Sequence, residues 1–184
     1  MNIGRTVVGG SAVVALVAAV GFGFTVFGPP EVSVDGANSL CISTLIPENR
    51  DVLVGVGVSN DGDSAIVLTA ASVGSHDGII VGDEVRAIPP SGGDFFNGIG
   101  SVSNTADNVI EFGLQPLAGL VVPPGGLAQV IFILKSEDGA GIATDFRIDF
   151  TGDYGMHHSA TSRFEAGFTR LALDDDNFGE PCGV

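Results

Sequence analysis

The chain has 184 residues, with 22 Asp and Glu against 7 Lys and Arg, a formal net charge of −15. Only 16% of residues are charged and 45% are hydrophobic, too apolar for a disordered acidic tail and too acidic to grip a nucleic-acid backbone. Two cysteines exclude a disulfide-dense mini-protein, which leaves one folded domain plus a very hydrophobic segment.

That segment comes first. Residues 6–28 hold no charge, and Pro29-Pro30 follow. About 20 apolar residues cross a bilayer core as a helix, and proline ends one. Arg5 and the amino terminus are the only positive charges ahead of the run, and no Lys or Arg follows until Arg50. The positive-inside rule therefore predicts a single-pass helix in the cell membrane over 6–28, with residues 1–5 cytoplasmic and the rest extracytoplasmic. The alternative is a cleaved signal peptide and a secreted chain. Against it, the run continues through Phe22, Phe24, Val26 and Phe27, and no Ala-x-Ala site follows.

Residues 29–38 read as a linker and 39–184 as one all-β domain, because short alternating runs lie between turn signals. Strands are expected at 32–34 and 40–45, then at 52–58, where Val52, Val54, Val56 and Val58 share one face. Asp61-Gly62 marks a turn within 59–64, and a strand follows over 65–73. Gly74-Ser75-His76-Asp77-Gly78 reads as a turn. Consecutive Ser, His and Asp cannot converge as a nucleophilic triad. A strand over 83–88 stops at Pro89-Pro90. Residues 76–82 and the Gly/Ser/Asn-rich 91–103 read as loops presented for contact.

Residues 108–114 read as a strand, 123–126 (Pro-Pro-Gly-Gly) as a turn, and the nearly continuous apolar run 127–134 as a central strand. Gly139 to Ala143 is a fragment of a dinucleotide fingerprint without a strand–helix context, and reads as a loop. Over 145–151, Phe146, Ile148 and Phe150 point inward while Arg147 and Asp149 point outward. After a turn at 152–155 the chain returns over 160–173, with Phe164, Ala166 and Phe168 on one face. About eight or nine short strands with Gly/Pro turns favour two packed antiparallel sheets.

The stretches VGVGVSNDGDSAIVL (54–68) and LVVPPGGLAQVIFIL (120–134) resemble the strand–turn–strand and Pro-Gly-turn segments of bacterial immunoglobulin-like or fibronectin-III-like extracellular domains. The resemblance implies an all-β, antiparallel Greek-key β-sandwich on the cell surface or in the periplasm, here behind a membrane anchor. It brings no catalytic residues. The Cys–Trp–Cys core of antibody-type domains is missing, since there is no Trp.

Few residues carry chemistry. Cys41 and Cys182 are expected to pair in an oxidising compartment, with two free thiols as the alternative. Met156, His157 and His158 have the thioether and imidazole donors that suit copper. On a strand, however, adjacent histidines face opposite ways, and a polar hairpin end explains them as well. The acidic run Asp174-Asp175-Asp176-Asn177 fails the EF-hand spacing, and Asn60, Asp61 and Asp63 are explained by a turn.

The expected function is that of a membrane-anchored, non-catalytic binding or accessory module without a cofactor. Its partners are the membrane through residues 6–28 and another protein, with a membrane complex as one setting and no nucleic acid. The alternatives are a periplasmic copper or other metal-binding protein using Met156, His157 and His158, and a secreted hydrolase.

Overall fold

Valine at every second position dictates a strand with one dry face, and Val52, Val54, Val56 and Val58 are each fully buried. The structure, a computed structural model, describes residues 30–35, 40–44, 51–90, 99–101, 113–172, 176–177 and 182. Its strands are β1 (Val32–Asp35), β2 (Leu40–Ser43), β3 (Val52–Asn60), β4 (Ile66–Asp77), β5 (Ile79–Val81), β6 (Arg86–Ile88) and β7 (Ile99–Ser101). They continue with β8 (Gln115–Pro116), β9 (Val121–Val122), β10 (Leu127–Ser136), β11 (Gly141–Thr151), β12 (His157–Ser162) and β13 (Ala166–Thr169).

The first sheet runs β1-β3-β10-β6-β8, with β7 also on β3 and β5 also on β10. The second runs β2-β13-β11-β4-β9, with β12 also on β11. Three long strands each carry two short ones along a single flank. β3 pairs with β1 at Gly57 to Asn60 and with β7 at Val52 to Val54. β10 pairs with β6 at Gln129 to Ile131 and with β5 at Leu134 to Ser136. β11 pairs with β13 at Gly141 to Ala143 and with β12 at Phe146 to Thr151.

One pairing departs from the expected antiparallel sandwich: β2 lies parallel to β13. β1 belongs to the first sheet, antiparallel to β3, whereas β2 belongs to the second, parallel to β13.

The core lies between the inner faces. Phe132 of β10 meets Phe146 of β11 edge-on across the sheets, with ring centroids 4.9 Å apart. Phe164 packs against Phe146 at 5.4 Å. A smaller cluster of Leu53, Ile88, Leu114 and Ile131 is buried on the outer face of the first sheet.

Several sequence expectations change. β4 runs on to Asp77, so the 74–78 segment is mostly strand, and only Gly78 turns, at φ +63°. Two strand ends, separated by that residue, thus replace the loop expected at 76–82. The long loop at 91–103 contains β7, which borrows its pairing from β3 rather than from its own Gly-rich composition. The strand expected over 83–88 is only Arg86–Ile88, and the supposed linker 29–38 contains β1. The return over 160–173 breaks in two, because Ser162 Oγ accepts the Phe164 N–H at 3.2 Å and turns the chain. The strand expected at 108–114 falls almost wholly outside the described residues.

The expectation of an anchor is corrected. Among the described residues the helical conformation is 3₁₀ alone, in the turn Asp153–Gly155 and at Cys182, and no helix is long and apolar enough to cross a membrane. A transmembrane helix as part of the fold, the single-pass cell-membrane location and the partnership with the membrane through residues 6–28 therefore find no support in the described residues. Residues 6–28 themselves lie outside the described residues.

One buried polar side chain ties the lower loops together. Asn60 has no exposed surface. Its Nδ2 donates to Ser64 O at 2.8 Å and Val122 O at 2.9 Å, and its Oδ1 accepts from Gly62 N at 3.2 Å. Asn60→Leu is expected to cost about 1–3 kcal/mol, since it strands the buried Val122 carbonyl and removes the partner of the Ser64 carbonyl and of the Gly62 N–H at the turn. Urea unfolding checks this, and a loss below about 0.5 kcal/mol would contradict the account.

Candidate functional site

Alternation along β11 sends Arg147 and Asp149 to the outer face of the second sheet, as the sequence indicates. The sheet register supplies their neighbours. Asp149 pairs with Ala70 on β4 and with Ser159 on β12. Thr151 pairs with His157 one step along, so the imidazole lies diagonal to the Asp149 carboxylate. Asp149 is thus flanked on both sides by small residues and lies in a depression walled by longer ones.

A bulge deepens this depression. The β4–β11 register shifts between Asp149 and Phe150, which leaves Thr69 as the extra residue. The result is a groove of about 360 Å³ lined by Thr69, Ala70, Arg147, Asp149, His157, His158 and Ser159. Arg147 Nε donates to Asp149 Oδ1 at 2.8 Å, with the two side chains 53% and 33% exposed. Such a solvated pair adds at most about 1 kcal/mol to stability. Its consequence is local neutrality in an otherwise acidic domain.

The candidate metal cluster is divided by the pleat. His157 is exposed on the outer face, and Met156 ends the turn with 40% of its surface exposed. His158 points inward and stacks on Phe150, with ring centroids 5.6 Å apart and planes 23° apart. Its Nε2 is buried without a hydrogen-bond partner among the described residues. Among those residues no group of three His, Cys, Asp or Glu could hold a metal ion. Asp176 and Asn177 are exposed, while Asp174 and Asp175 lie outside the described residues.

The groove gathers Ser159, His157 and Asp149, the residue types of a hydrolytic triad. Asp149 is committed to Arg147 instead, and among the described residues Ser159 and His157 donate no hydrogen bond to each other. At the far end of the domain Cys41 and Cys182 are joined by a disulfide, with Cα atoms 5.5 Å apart.

Periodicity in the sequence turns Arg147 and Asp149 outward and separates His157 from His158, but it does not reveal the groove. Its floor and rim come from Ala70, Thr69 and Ser159 on neighbouring strands, and no spacing within β11 announces them.

No protein-family profile matches the chain, and no curated protein matches it significantly in sequence. Among solved structures it is similar to the secreted serine protease VesC from Vibrio cholerae, at 13% identity and a TM-score of 0.33, over 73% of this chain and 23% of that one. It is also similar to the ASH/PapD-like domain 7 of human CEP192, at 14% identity and a TM-score of 0.38, over 80% of this chain and 92% of that one. A family 123 glycoside hydrolase from Clostridium perfringens matches at 13% identity and a TM-score of 0.37, over 77% of this chain and 27% of that one. The chain thus spans about a quarter of the protease and of the glycoside hydrolase. These scores place it in no family, and the resemblance to anchored immunoglobulin-like or fibronectin-III-like proteins is corrected to an all-β, two-sheet sandwich.

Proposed function

We propose that the domain is an exported, non-catalytic recognition module whose outer-face groove takes a neutral polyhydroxylated ligand, such as a segment of a glycan. The observation that carries this reading is the Arg147–Asp149 pair set between Ser159, Thr69 and His157 in one depression. Sugar hydroxyls both donate and accept, and so do these groups taken together. Arg147 cancels the charge of Asp149, so a neutral ligand leaves neither ion unpaired, whereas an anionic ligand meets a chain of net charge −15. The Cys41–Cys182 bond fits folding in an oxidising compartment.

The test is calorimetric titration with neutral α- and β-linked glucan, mannan and chitin fragments. At least one class is expected to bind, and Asp149→Asn is expected to weaken it at least about tenfold while leaving the unfolding midpoint nearly unchanged, because the pair is solvated. No binding by any fragment at millimolar concentration, or an unaffected Asp149→Asn variant, would sink the reading.

A further inference from the structure

The turn between β11 and β12 holds a side chain that its backbone does not favour. Tyr154 adopts φ 59° and ψ 17°, a left-handed conformation that bulky residues rarely take and glycine takes freely. The turn is closed from backbone to backbone. Gly152 N–H donates to Met156 O at 3.0 Å, and Gly155 N–H donates to Gly152 O at 3.2 Å. A glycine at position 154 leaves both bonds in place. Burial does not explain the tyrosine either. It is 80% exposed, the one exposed aromatic among the described residues, whereas Phe132, Phe146, Phe150, Phe164 and Phe168 are all buried. Backbone strain that no burial offsets points to a side chain kept for contact.

We propose that Tyr154 is a stacking platform at the end of the outer-face groove, and that it takes the apolar face of a pyranose ring. This rests on the neutral glycan proposed for that groove. One hairpin carries both features. His157 lines the groove and pairs with Thr151, and the turn joins these two residues. Asp149 and Thr151 are about 7 Å apart along the strand, and Tyr154 lies beyond Thr151, so ring and ion pair meet different sugars of one ligand.

The chemistry of the two features is complementary. A pyranose carries hydroxyls around its rim and C–H groups on its faces. Arg147, Asp149 and Ser159 offer donors and acceptors to the rim. An aromatic face is electron-rich at its centre and attracts the weakly positive C–H groups. The small size of the apolar surface selects this occupant over a protein. Tyr154 and the 40% exposed Met156 are the large apolar side chains exposed at this turn. A stable protein interface buries about 800 Å² per partner, whereas one sugar needs a single ring face.

The test uses a built-in reporter. The chain has one Tyr and no Trp, so tyrosine emission comes from Tyr154 alone. Titration of the full chain with neutral glucan, mannan and chitin hexasaccharides is expected to change that emission in step with the heat of binding. Tyr154→Gly is expected to weaken hexasaccharide binding about two- to tenfold, the range of one aromatic contact, and disaccharide binding by less. Tyr154→Phe keeps the ring and is expected to retain most of the affinity. The thermal midpoint of Tyr154→Gly is expected to equal or exceed that of the wild-type chain, because glycine relieves the turn. Binding that leaves the emission constant and ignores Tyr154→Gly overturns the platform and leaves the groove standing. A midpoint that falls in Tyr154→Gly shows that the ring serves the fold, and also overturns the platform. Binding that responds to Tyr154→Gly but not to Asp149→Asn supports the platform and overturns the groove. No binding by any hexasaccharide at millimolar concentration overturns both.

Discussion

Phe146→Ala is expected to remove about 4 kcal/mol of stability, the largest loss for any single side chain in the core. Phe146 has no exposed surface and stands where the two sheets touch. Its ring meets Phe132 of the first sheet at 4.9 Å and a 71° interplanar angle, and Phe164 at 5.4 Å. Truncation deletes the edge-on contact, adds a cavity bounded by stiff strands and leaves no flexible neighbour to refill it. Phe146→Leu, which keeps most of the volume, is expected to cost only about 1–1.5 kcal/mol. Phe150 stacks on the half-buried His158 near the end of the sandwich, where collapse is easier, so Phe150→Ala is expected to lie between the two. For a domain of this size the Phe146→Ala loss corresponds to a fall in Tm of about 8–16 °C. Urea midpoints at unchanged slope check the order. A Phe146→Ala loss smaller than that of Phe150→Ala would show that the sheets are not held together at this point.

What could be read from the sequence, and what could not, follows from which contacts are local. Alternation alone gave β3 and β11 their inner faces, and the valines of β3 and Phe146, Ile148 and Phe150 are all buried. The PPGG turn before β10 was legible for the same reason, since its geometry is carried by adjacent residues. Pairing is not local. β7 sits in a Gly/Ser/Asn-rich stretch and is a strand because β3 offers it an edge. The break between β12 and β13 depends on one serine hydroxyl reaching back to the Phe164 N–H. Parallel β2 depends on the chain changing sheets after β1. The site follows the same rule. The outward direction of Arg147 and Asp149 is periodicity, and the division of His157 from His158 is periodicity too, but the groove exists only because Ala70 and Ser159 flank Asp149 across two registers and Thr69 bulges.

Loss of the Cys41–Cys182 bond is expected to act in two ways at once. The bond joins residues 141 positions apart. Closing so long a loop restricts the unfolded chain by up to about 5 kcal/mol in the chain-entropy model, and measured effects commonly reach 2–4. A Cys41→Ala/Cys182→Ala double variant is therefore expected to lose about 3–5 kcal/mol of global stability. The second effect is local. β2 is four residues long and joins the second sheet only through β13 among the described residues. Besides its ladder, the backbone bonds from Leu40 N to Glu165 O at 2.9 Å and from Thr44 N to Thr169 O at 2.8 Å hold its ends. Cys182 is 3% exposed and lies flat on Gly167, where an added Cβ would approach its Sγ to 2.7 Å. The bond thus clamps a short edge strand against the only residue type that leaves room for it. Without the bond, the Ile42 and Thr44 amides should exchange hydrogen well before those of β3 and β10. The same crowding makes Gly167→Val incompatible with the disulfide as placed, and that variant is expected to open the same edge with both cysteines present. If the double variant lost global stability while β2 amides kept their wild-type protection, the bond would act on the unfolded chain alone, and β2 would be held by β13 without it.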